Sequence, residues 1–372
     1  MGRKMRSRRQ RQREFWKGAT QQDRYEYLVD SPFAIPEIRI FHEDEERILL
    51  KLLRGYVDRK QDTVFVEIGC GPGRIVRRIA HLIIENPATW GRYLKYVVGV
   101  DFETGMIKRA IESLTRKEKI IRDWTRRGTA HEIATLTGLT PRKVKEDLRR
   151  RIFFVDADAN LPFLQCKSLV PVVGIMFGTL GNIPTMQRVL ERVSRLCQPN
   201  GRALIVAFNR DNHQVGSDRY RILAEGNFRP LYETSWSEEE GAFTSPGGFY
   251  SRWFSEFDFR KTLQRYFENE FSVKQVGHNG LCAIVKPKRS LRKQIVSAVK
   301  SQKEWNSSLT LLCPRCGHPI EKGDLPLPSV SQISCIQQKH RYSVVKMMGY
   351  NVPLLEIENS SSSGANARRY VK

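Results

Sequence analysis

Short apolar runs alternate with amphipathic segments through most of the chain. The runs are rich in Val, Ile and Phe, and several end in glycine or an acid, as buried strands of a parallel sheet do. Such strands are predicted over 64–66, 96–101, 152–156, 169–177 and 201–208. Apolar residues at helical spacing predict helices over 43–56, 75–84, 106–114, 186–196 and 256–269. Strands that alternate with helices indicate an α/β protein.

The first predicted strand, 64–66, leads directly into a glycine turn. The glycines are Gly69, Gly71 and Gly73. Strand, glycine turn and helix begin a nucleotide-binding α/β unit, in which glycine lets the backbone approach a ligand where a Cβ would clash. A dinucleotide fingerprint expects glycine at the position of Arg74. Glu67, just before the turn, would also repel a pyrophosphate.

The pattern E-x-G-x-G-x-G formed by Glu67 and the three glycines resembles the first motif of class I S-adenosylmethionine (SAM) methyltransferases. The resemblance implies a Rossmann-like sheet with SAM as cofactor. A carboxylate at Glu67 suits the cationic amino-acid end of SAM. Asp101 ends the second strand and would accept both ribose hydroxyls. The resemblance also implies an antiparallel strand pair that closes the sheet, expected over 271–276 and 281–286.

The third strand ends in Asp156-Ala157-Asp158, within a segment similar to the family's adenine-binding D-A-x-x-L-P-F. One extra residue precedes Leu161, so either Asp156 or Asp158 would face the adenine amino group. Asp156 is favoured because it directly follows the apolar run. Ala157 and Phe177, which ends the fourth strand, complete the expected cofactor site.

The loop 178–184 lies where class I enzymes reach their substrate. It lacks the (D/N)-P-P-(Y/F) motif of amino-directed DNA and RNA methyltransferases and the Pro-Cys of cytosine-C5 enzymes. It is more similar to the G-(S/T)-x-G-N of histidine-betaine methyltransferases. Asn182 is therefore a candidate to bind the substrate or the SAM carboxylate region, or else it satisfies its own turn.

Residues 115–151 are an insertion between the second and third strands that resembles a helix-turn-helix. Thr140 is expected to cap its second helix, with Pro141 at the first helical position. Val144 and Leu148 would face inward and leave the basic side chains outside. The insertion is either a recognition element for a major groove or a helical subdomain that packs on the core or a partner protein.

Four soft ligands near the C-terminus predict a structural, tetrahedral Zn²⁺ site. They are Cys313, Cys316, Cys335 and His340. The surrounding segment resembles the zinc module of bacterial large-subunit ribosomal RNA guanine-N1 methyltransferases, although here it is C-terminal and has a longer spacer. Four residues separate Cys335 from His340 where the module has three, which leaves His318 as a competing ligand.

The formal net charge of +23 over 372 residues favours a polyanionic partner, with RNA preferred and DNA as the alternative. Seven scattered cysteines argue against a disulfide framework and favour a reducing compartment, so a cytoplasmic location is expected. No apolar run reaches the length of about 18 residues that a membrane span needs, and no secretory signal is recognised. No membrane partner is expected.

These features predict a SAM-dependent methyltransferase that acts on ribosomal or other structured RNA. Two alternatives are a small-molecule N- or O-methyltransferase with accessory binding modules and a DNA-binding regulator that only senses SAM. The expected organisation is a basic arm and lid, a methyltransferase domain that contains the insertion, a basic linker, a zinc-ribbon-like module and a disordered tail. Their boundaries are 1–42, 43–287, 288–310, 311–356 and 357–372.

Overall fold

The computed structural model describes residues 35–115, 151–156, 169–198, 200–225 and 233–288. It also describes positions 11, 14–16, 22, 23, 25, 29, 140, 142–144, 148, 159 and 164–166, and four short strands after residue 308.

The helices and strands that the hydrophobic pattern predicts occur in the expected order, together with elements that it does not predict. The strands are β1 (Thr63–Ile68), β2 (Leu94–Asp101), β3 (Ile152–Asp156), β4 (Leu164–Cys166), β5 (Val170–Ile175), β6 (Arg202–Phe208), β7 (Ser235–Ser237), β8 (Ala242–Thr244), β9 (Tyr250–Arg252), β10 (Val273–Val276), β11 (Gly280–Val285), β12 (Leu309–Leu311), β13 (Val330–Ser334), β14 (Arg341–Val345) and β15 (Leu355–Glu356). The helices are α1 (Pro36–Asp58), α2 (Arg74–Glu85), α3 (Trp90–Tyr93), α4 (Thr104–Thr115), α5 (Thr179–Asn182), α6 (Met186–Leu196), α7 (His213–Leu223) and α8 (Glu256–Gln264).

A seven-stranded sheet in the order β10-β11-β6-β5-β1-β2-β3 is the centre of the fold. Five strands of this sheet lie side by side and run parallel: β6, β5, β1, β2 and β3. β11 runs antiparallel to β6, and β10 runs antiparallel to β11. The expected closing pair of antiparallel strands is therefore confirmed.

The sheet is covered on both faces, which explains why its strands are apolar throughout. In β1 every residue is buried, with Phe65 in one hydrophobic cluster and Val64 and Val66 in the other. Residues of α1, α2 and α4 belong to the first cluster, and residues of α6 and α8 belong to the second. Burying both faces of a parallel sheet removes a large apolar area from water and drives the folding of this domain.

The start of α1 and a second sheet differ from the sequence-based expectation. Helix α1 begins at Pro36 rather than at 43, because the apolar stripe continues backwards through Phe41 and Ile38, both of which are buried. A separate three-stranded sheet, β7-β8-β9, was not predicted. It places Phe243 in the first hydrophobic cluster, next to Trp253.

The described part of the insertion agrees with the expected second helix. The side-chain oxygen of Thr140 accepts a hydrogen bond from the Lys143 amide at 3.3 Å, as a cap does, and Val144 and Leu148 are buried. Residues 116–139 lie outside the described residues, so the complete helix-turn-helix stays a prediction.

The four expected zinc ligands also lie outside the described residues, as does His318, and the zinc site stays a prediction. Within the part of the chain that is described, no three His, Cys, Asp or Glu residues are grouped so that they could hold a metal ion. Among the described residues, no helix has the length and hydropathy needed to cross a bilayer.

Candidate cofactor and substrate site

The glycine turn after β1 adopts a backbone that favours glycine at three positions. Gly69, Gly71 and Gly73 have φ angles of +69°, +51° and +82°. The turn is fixed to the end of β2, since the amides of Gly69 and Cys70 both donate to the carbonyl of Val100, at 2.7 and 3.0 Å. The third glycine precedes α2, so the chain turns from strand to helix within a few residues.

The three glycines have different surroundings. A Cβ at Gly69 would overlap the side chain of Thr179, and one at Gly73 would lie 3.0 Å from the Cβ of Ala110. A Cβ at Gly71 would meet no atom within 4 Å. The first and third glycines therefore allow close packing, whereas the middle one presents bare backbone to open space, as a ligand-binding turn does.

Asp101 is the buried acid that connects the end of β2 to this turn. Its Oδ2 accepts from the Gly71 amide and its Oδ1 from the Glu103 amide, each at 2.9 Å. Burial raises the pKa of the Asp101 carboxyl, although these backbone hydrogen bonds favour the ionised form. A carboxylate in this position can accept further hydrogen bonds from a ligand bound against the turn.

A second acid, Glu67, is buried at the end of β1 and is 4% exposed. Burial first, and then the charges of Asp101 and Glu67, raise the pKa of the intervening Cys70 thiol well above its ordinary value. This cysteine therefore stays a neutral thiol, and the site contains two acids around an inert sulfur rather than a nucleophilic thiolate.

Phe177, just after β5, is held in an unusual conformation. Its φ of +43° lies in the left-handed region, which is strained for a bulky residue. Its amide donates to Oε2 of Glu45 at 2.8 Å. Its ring packs against Phe41 and Phe208, with centroid separations of 5.2 and 5.4 Å. These contacts stabilise a sharp turn at the carboxyl end of the sheet.

Glu45 is fully buried and forms the centre of a polar network. It accepts from His42 Nδ1 at 3.0 Å, pairs with Arg74 and receives the Phe177 amide. Burial raises the pKa of Glu45, but Arg74, His42 and the amide outweigh it, so the net pKa is lowered. Because Arg74 begins α2, the network connects the glycine turn to the turn at Phe177.

A small cavity with a volume of about 30 Å³ lies at the carboxyl ends of β5 and β6. This volume is room for about two water molecules or one small polar group, and it lies well below the range of about 300–1,000 Å³ typical of whole small-molecule sites. Its walls are mainly aromatic, and its polar side chains include an amide and a guanidinium. It is lined by Trp16, Tyr25, Val29, Phe177, Asn182, Phe208, Arg219, Tyr220, Leu223 and Phe249.

The N-terminal segment forms one wall of this cavity. The Gln22 amide nitrogen donates to the Trp16 carbonyl at 2.7 Å, and Arg109 on α4 donates to the Gln22 oxygen at 3.3 Å. His42 Nε2 lies 3.0 Å from the Val29 carbonyl oxygen. Trp16 is thus connected to α4 through Gln22 and Val29 to α1, and the Tyr25 ring packs edge-to-face on Trp16 with a centroid separation of 5.2 Å.

The structure brings most of the expected site residues to one edge of the sheet. The glycine turn, Glu67 and Asp101 lie at the ends of β1 and β2, and Phe177 and Asn182 follow β5. Asp156 ends β3 directly beside Asp101 in the strand register. Ala157 and Asp158 lie outside the described residues.

Two residues of the site, Glu45 and Arg219, were not among the expected ones. Both lie in helices where an acid or an arginine is ordinary on a solvent-facing side, and only the tertiary structure shows that both are buried. No local sequence signal distinguishes them from their exposed neighbours.

No family model matches this chain, and no curated protein matches it. Among solved structures, it is similar to a protein from Pyrococcus horikoshii OT3 designated PH0226, with 16% identity, a TM-score of 0.43, and coverage of 71% of this chain and 96% of that one. It is also similar to magnesium protoporphyrin IX methyltransferase from Synechocystis PCC 6803 with bound S-adenosylhomocysteine (SAH), with 12% identity, a TM-score of 0.41, and coverage of 74% and 97%.

A third similar structure is a SAM-dependent methyltransferase of Thermotoga maritima described as a possible histamine N-methyltransferase. It shows 13% identity and a TM-score of 0.39, with coverage of 74% of this chain and all of that one. Several solved structures similar to this chain are thus SAM-dependent methyltransferases. The protein itself has a mixed α/β fold centred on a seven-stranded sheet.

Proposed function

We propose that this protein is a SAM-dependent methyltransferase. The observation that carries the proposal is the left-handed turn at Gly71, open on its outer side and bound through its amide to the buried carboxylate of Asp101. A bare backbone beside an acid at the carboxyl ends of two parallel strands is suited to a nucleoside with free hydroxyls.

The residues present fit this cofactor. Asp101 would accept the ribose hydroxyls, Glu67 would lie beside the cationic amino-acid end, and Asp156 at the neighbouring strand end is the candidate for the adenine. When bound, SAM supplies an electrophilic methyl group. The chain itself positions the acceptor and excludes water, and Trp16 and Tyr25 serve the second purpose as walls of the cavity.

The geometry supports a small-molecule acceptor best. The cavity at the ends of β5 and β6 is small and is lined by aromatic side chains and by Trp16, Tyr25 and Val29 of the N-terminal segment, which suits one end of a small molecule more than a folded nucleic acid. Asn182 lines this cavity, and its buried Oδ1 has no hydrogen-bond partner among the described residues. The side-chain oxygen is therefore available to a donor on the acceptor molecule.

RNA is the second candidate acceptor, and the net charge of +23 favours it. The predicted basic arm, insertion and zinc module would then bind structured RNA outside the cavity. Incubation with radiolabelled SAM and fractionated cell extract separates the two candidates. We expect label in low-mass, nuclease-resistant products; label in a fraction that ribonuclease destroys would identify RNA instead.

Replacing glycines in the turn should separate ligand binding from folding. Gly71→Ala should cost only about 1–2 kcal/mol of stability, for the left-handed backbone, because its Cβ meets open space. It should still weaken SAM binding at least about tenfold, because the ligand is expected to occupy that space. Gly69→Ala should destabilise the fold by about 3 kcal/mol or more, since overlap with Thr179 adds to the backbone strain.

Urea denaturation and SAM titration calorimetry measure the two effects. Unchanged SAM affinity in a folded Gly71→Ala variant would show that the ligand does not approach the turn at that residue.

A further inference from the structure

We infer that the methyl acceptor carries an anionic group, of the carboxylate type, which binds Arg219 inside the cavity. This inference rests on the proposed function, since it names the substrate class of the same site.

Arg219 is a buried cation that lacks an acidic partner. It lies on α7 and is 6% exposed. Its guanidinium donates a hydrogen bond to the Tyr220 hydroxyl at 3.1 Å. No carboxylate of the described residues lies within ion-pair distance, 4.0 Å, of its guanidinium. Buried charges are normally paired, so this guanidinium has unused donors for an anion.

Two acids line a neighbouring cavity that Arg219 also borders, and neither compensates its charge. Glu37 is exposed, and the Asp218 side chain is 72% exposed. Asp218 instead pairs with Arg221, with the nitrogen and oxygen 3.5 Å apart. The charge of Arg219 is therefore balanced by neither of them.

Aromatic rings hold the guanidinium in place. Its central carbon lies 4.2 Å from the ring centroid of Phe208, 4.8 Å from that of Tyr220 and 5.4 Å from that of Trp253. Contacts of this kind favour a cation, and they fix its position without neutralising its charge. Arg219 is thus pre-organised, so a bound anion would lose little binding energy in ordering the side chain.

Arg219 and Asn182 line the same cavity, beside Phe177 and Phe208 at the sheet's carboxyl edge. A ligand that satisfies both needs an anionic group for the guanidinium and a hydrogen-bond donor for the buried Asn182 oxygen. The walls beside these two groups are aromatic, so an apolar neighbouring part of the ligand is favoured, and the cavity of about 30 Å³ holds only the anionic end of the molecule. Small amino- or hydroxy-carboxylic acids with a ring or aliphatic side chain meet all three requirements.

The test compares acids with their neutral amides on the full-length protein. Benzoate, phenylacetate, phenylalanine and histidine, each with its carboxamide, are titrated by calorimetry in the presence and absence of SAH. At least one acid should bind about 30-fold more tightly than its amide, the smallest effect expected for a buried charge pair. If no acid of the panel binds more tightly than its amide, the inference is wrong.

The variants identify the residue responsible. Arg219→Gln should remove the preference for the acid. Arg219→Lys keeps the positive charge and should retain part of the preference, and it serves as the second variant if the glutamine protein does not fold. Arg221→Gln, the exposed arginine two residues further along α7, should retain all of it. A preference that survives in a folded Arg219→Gln protein overturns the inference.

SAH affinity is measured in the same samples. A wild-type protein that binds acids but not SAH would refute the proposed methyltransferase activity and leave the anion site in place. A protein that binds SAH but shows no acid preference would refute the anion site and leave the proposed methyltransferase activity in place.

Discussion

Replacing Asp101 with asparagine should weaken SAM binding about a hundredfold and change the unfolding temperature little. The carboxylate is expected to accept the ribose hydroxyls, and asparagine has only one acceptor oxygen and no charge. Removing a buried charge should favour folding, because burial of the ionised carboxyl is unfavourable and raises the Asp101 pKa. Losing one backbone hydrogen bond should disfavour folding by a similar amount, so stability should change little. Calorimetric titration with SAM and thermal unfolding measure the two quantities.

Asp62→Asn is the matched control. Asp62 precedes β1 at the opposite edge of the sheet, where its half-exposed side chain lies 3.3 Å from Lys95 Nζ. It should leave SAM affinity unchanged. Equal SAM affinity in wild type and the Asp101 variant would exclude a ribose contact by this acid.

The raised pKa of Asp101 also predicts how SAM affinity depends on pH. The ionised carboxylate accepts hydrogen bonds from the ribose, so SAM affinity should fall as the pH is lowered through the Asp101 pKa, which lies above the ordinary value of 3.8. Titrations across a pH series on wild type and Asp101→Asn should converge at low pH. A wild-type affinity that does not change with pH would contradict this role.

Replacing Glu45 with glutamine should destabilise the fold by about 3–5 kcal/mol. The change removes a fully buried carboxylate and the charged partner of the partly buried Arg74, which keeps a longer ion pair with Glu46 at 4.0 Å. It also weakens the contact that holds the strained backbone of Phe177. Urea denaturation followed by tryptophan fluorescence measures the loss.

Glu46→Gln is the control for this change. Glu46 is the next residue, its side chain is 26% exposed, and it pairs with Arg78 at 2.7 Å and more distantly with Arg74 at 4.0 Å. Partial exposure to water limits such a pair to about 1 kcal/mol or less. Similar losses in the two variants would show that burial of Glu45 does not determine its effect.

The same substitution predicts a difference that depends on pH. The folded-state pKa of Glu45 is lowered from 4.5, so its ionised form stabilises the protein above that pH and the contribution disappears as pH falls through the lowered folded-state pKa. The stability gap between wild type and Glu45→Gln should therefore be constant near neutrality and shrink in acid. A gap that is unchanged in acid would mean that the charge of Glu45 is not the source.

The sheet and the glycine turn could be predicted because their sequence signals are local. Val64–Val66 followed by three glycines requires a buried strand and a left-handed turn, and Asp101 ends a strand whose apolar run is unmistakable. Parallel strands place their carboxyl ends at one edge, so the acids at two strand ends meet without further information.

The cavity at the ends of β5 and β6 could not be predicted in the same way. The sequence marks Trp253 only as an aromatic residue, and its place beside Arg219 depends on how β7-β8-β9 packs on α7. Likewise, Glu45 and Glu46 are adjacent acids on one predicted helix, and only the tertiary fold buries the first completely and leaves the second partly exposed. Burial of charge is a property of the assembled layers and has no local pattern.

Calorimetric titration of the purified chain with SAM, and separately with NAD, tests the proposed cofactor most directly. Saturable binding of one SAM per chain, with no heat from NAD, is the expected result. Binding of NAD, or no binding of SAM or SAH, would contradict the methyltransferase proposal.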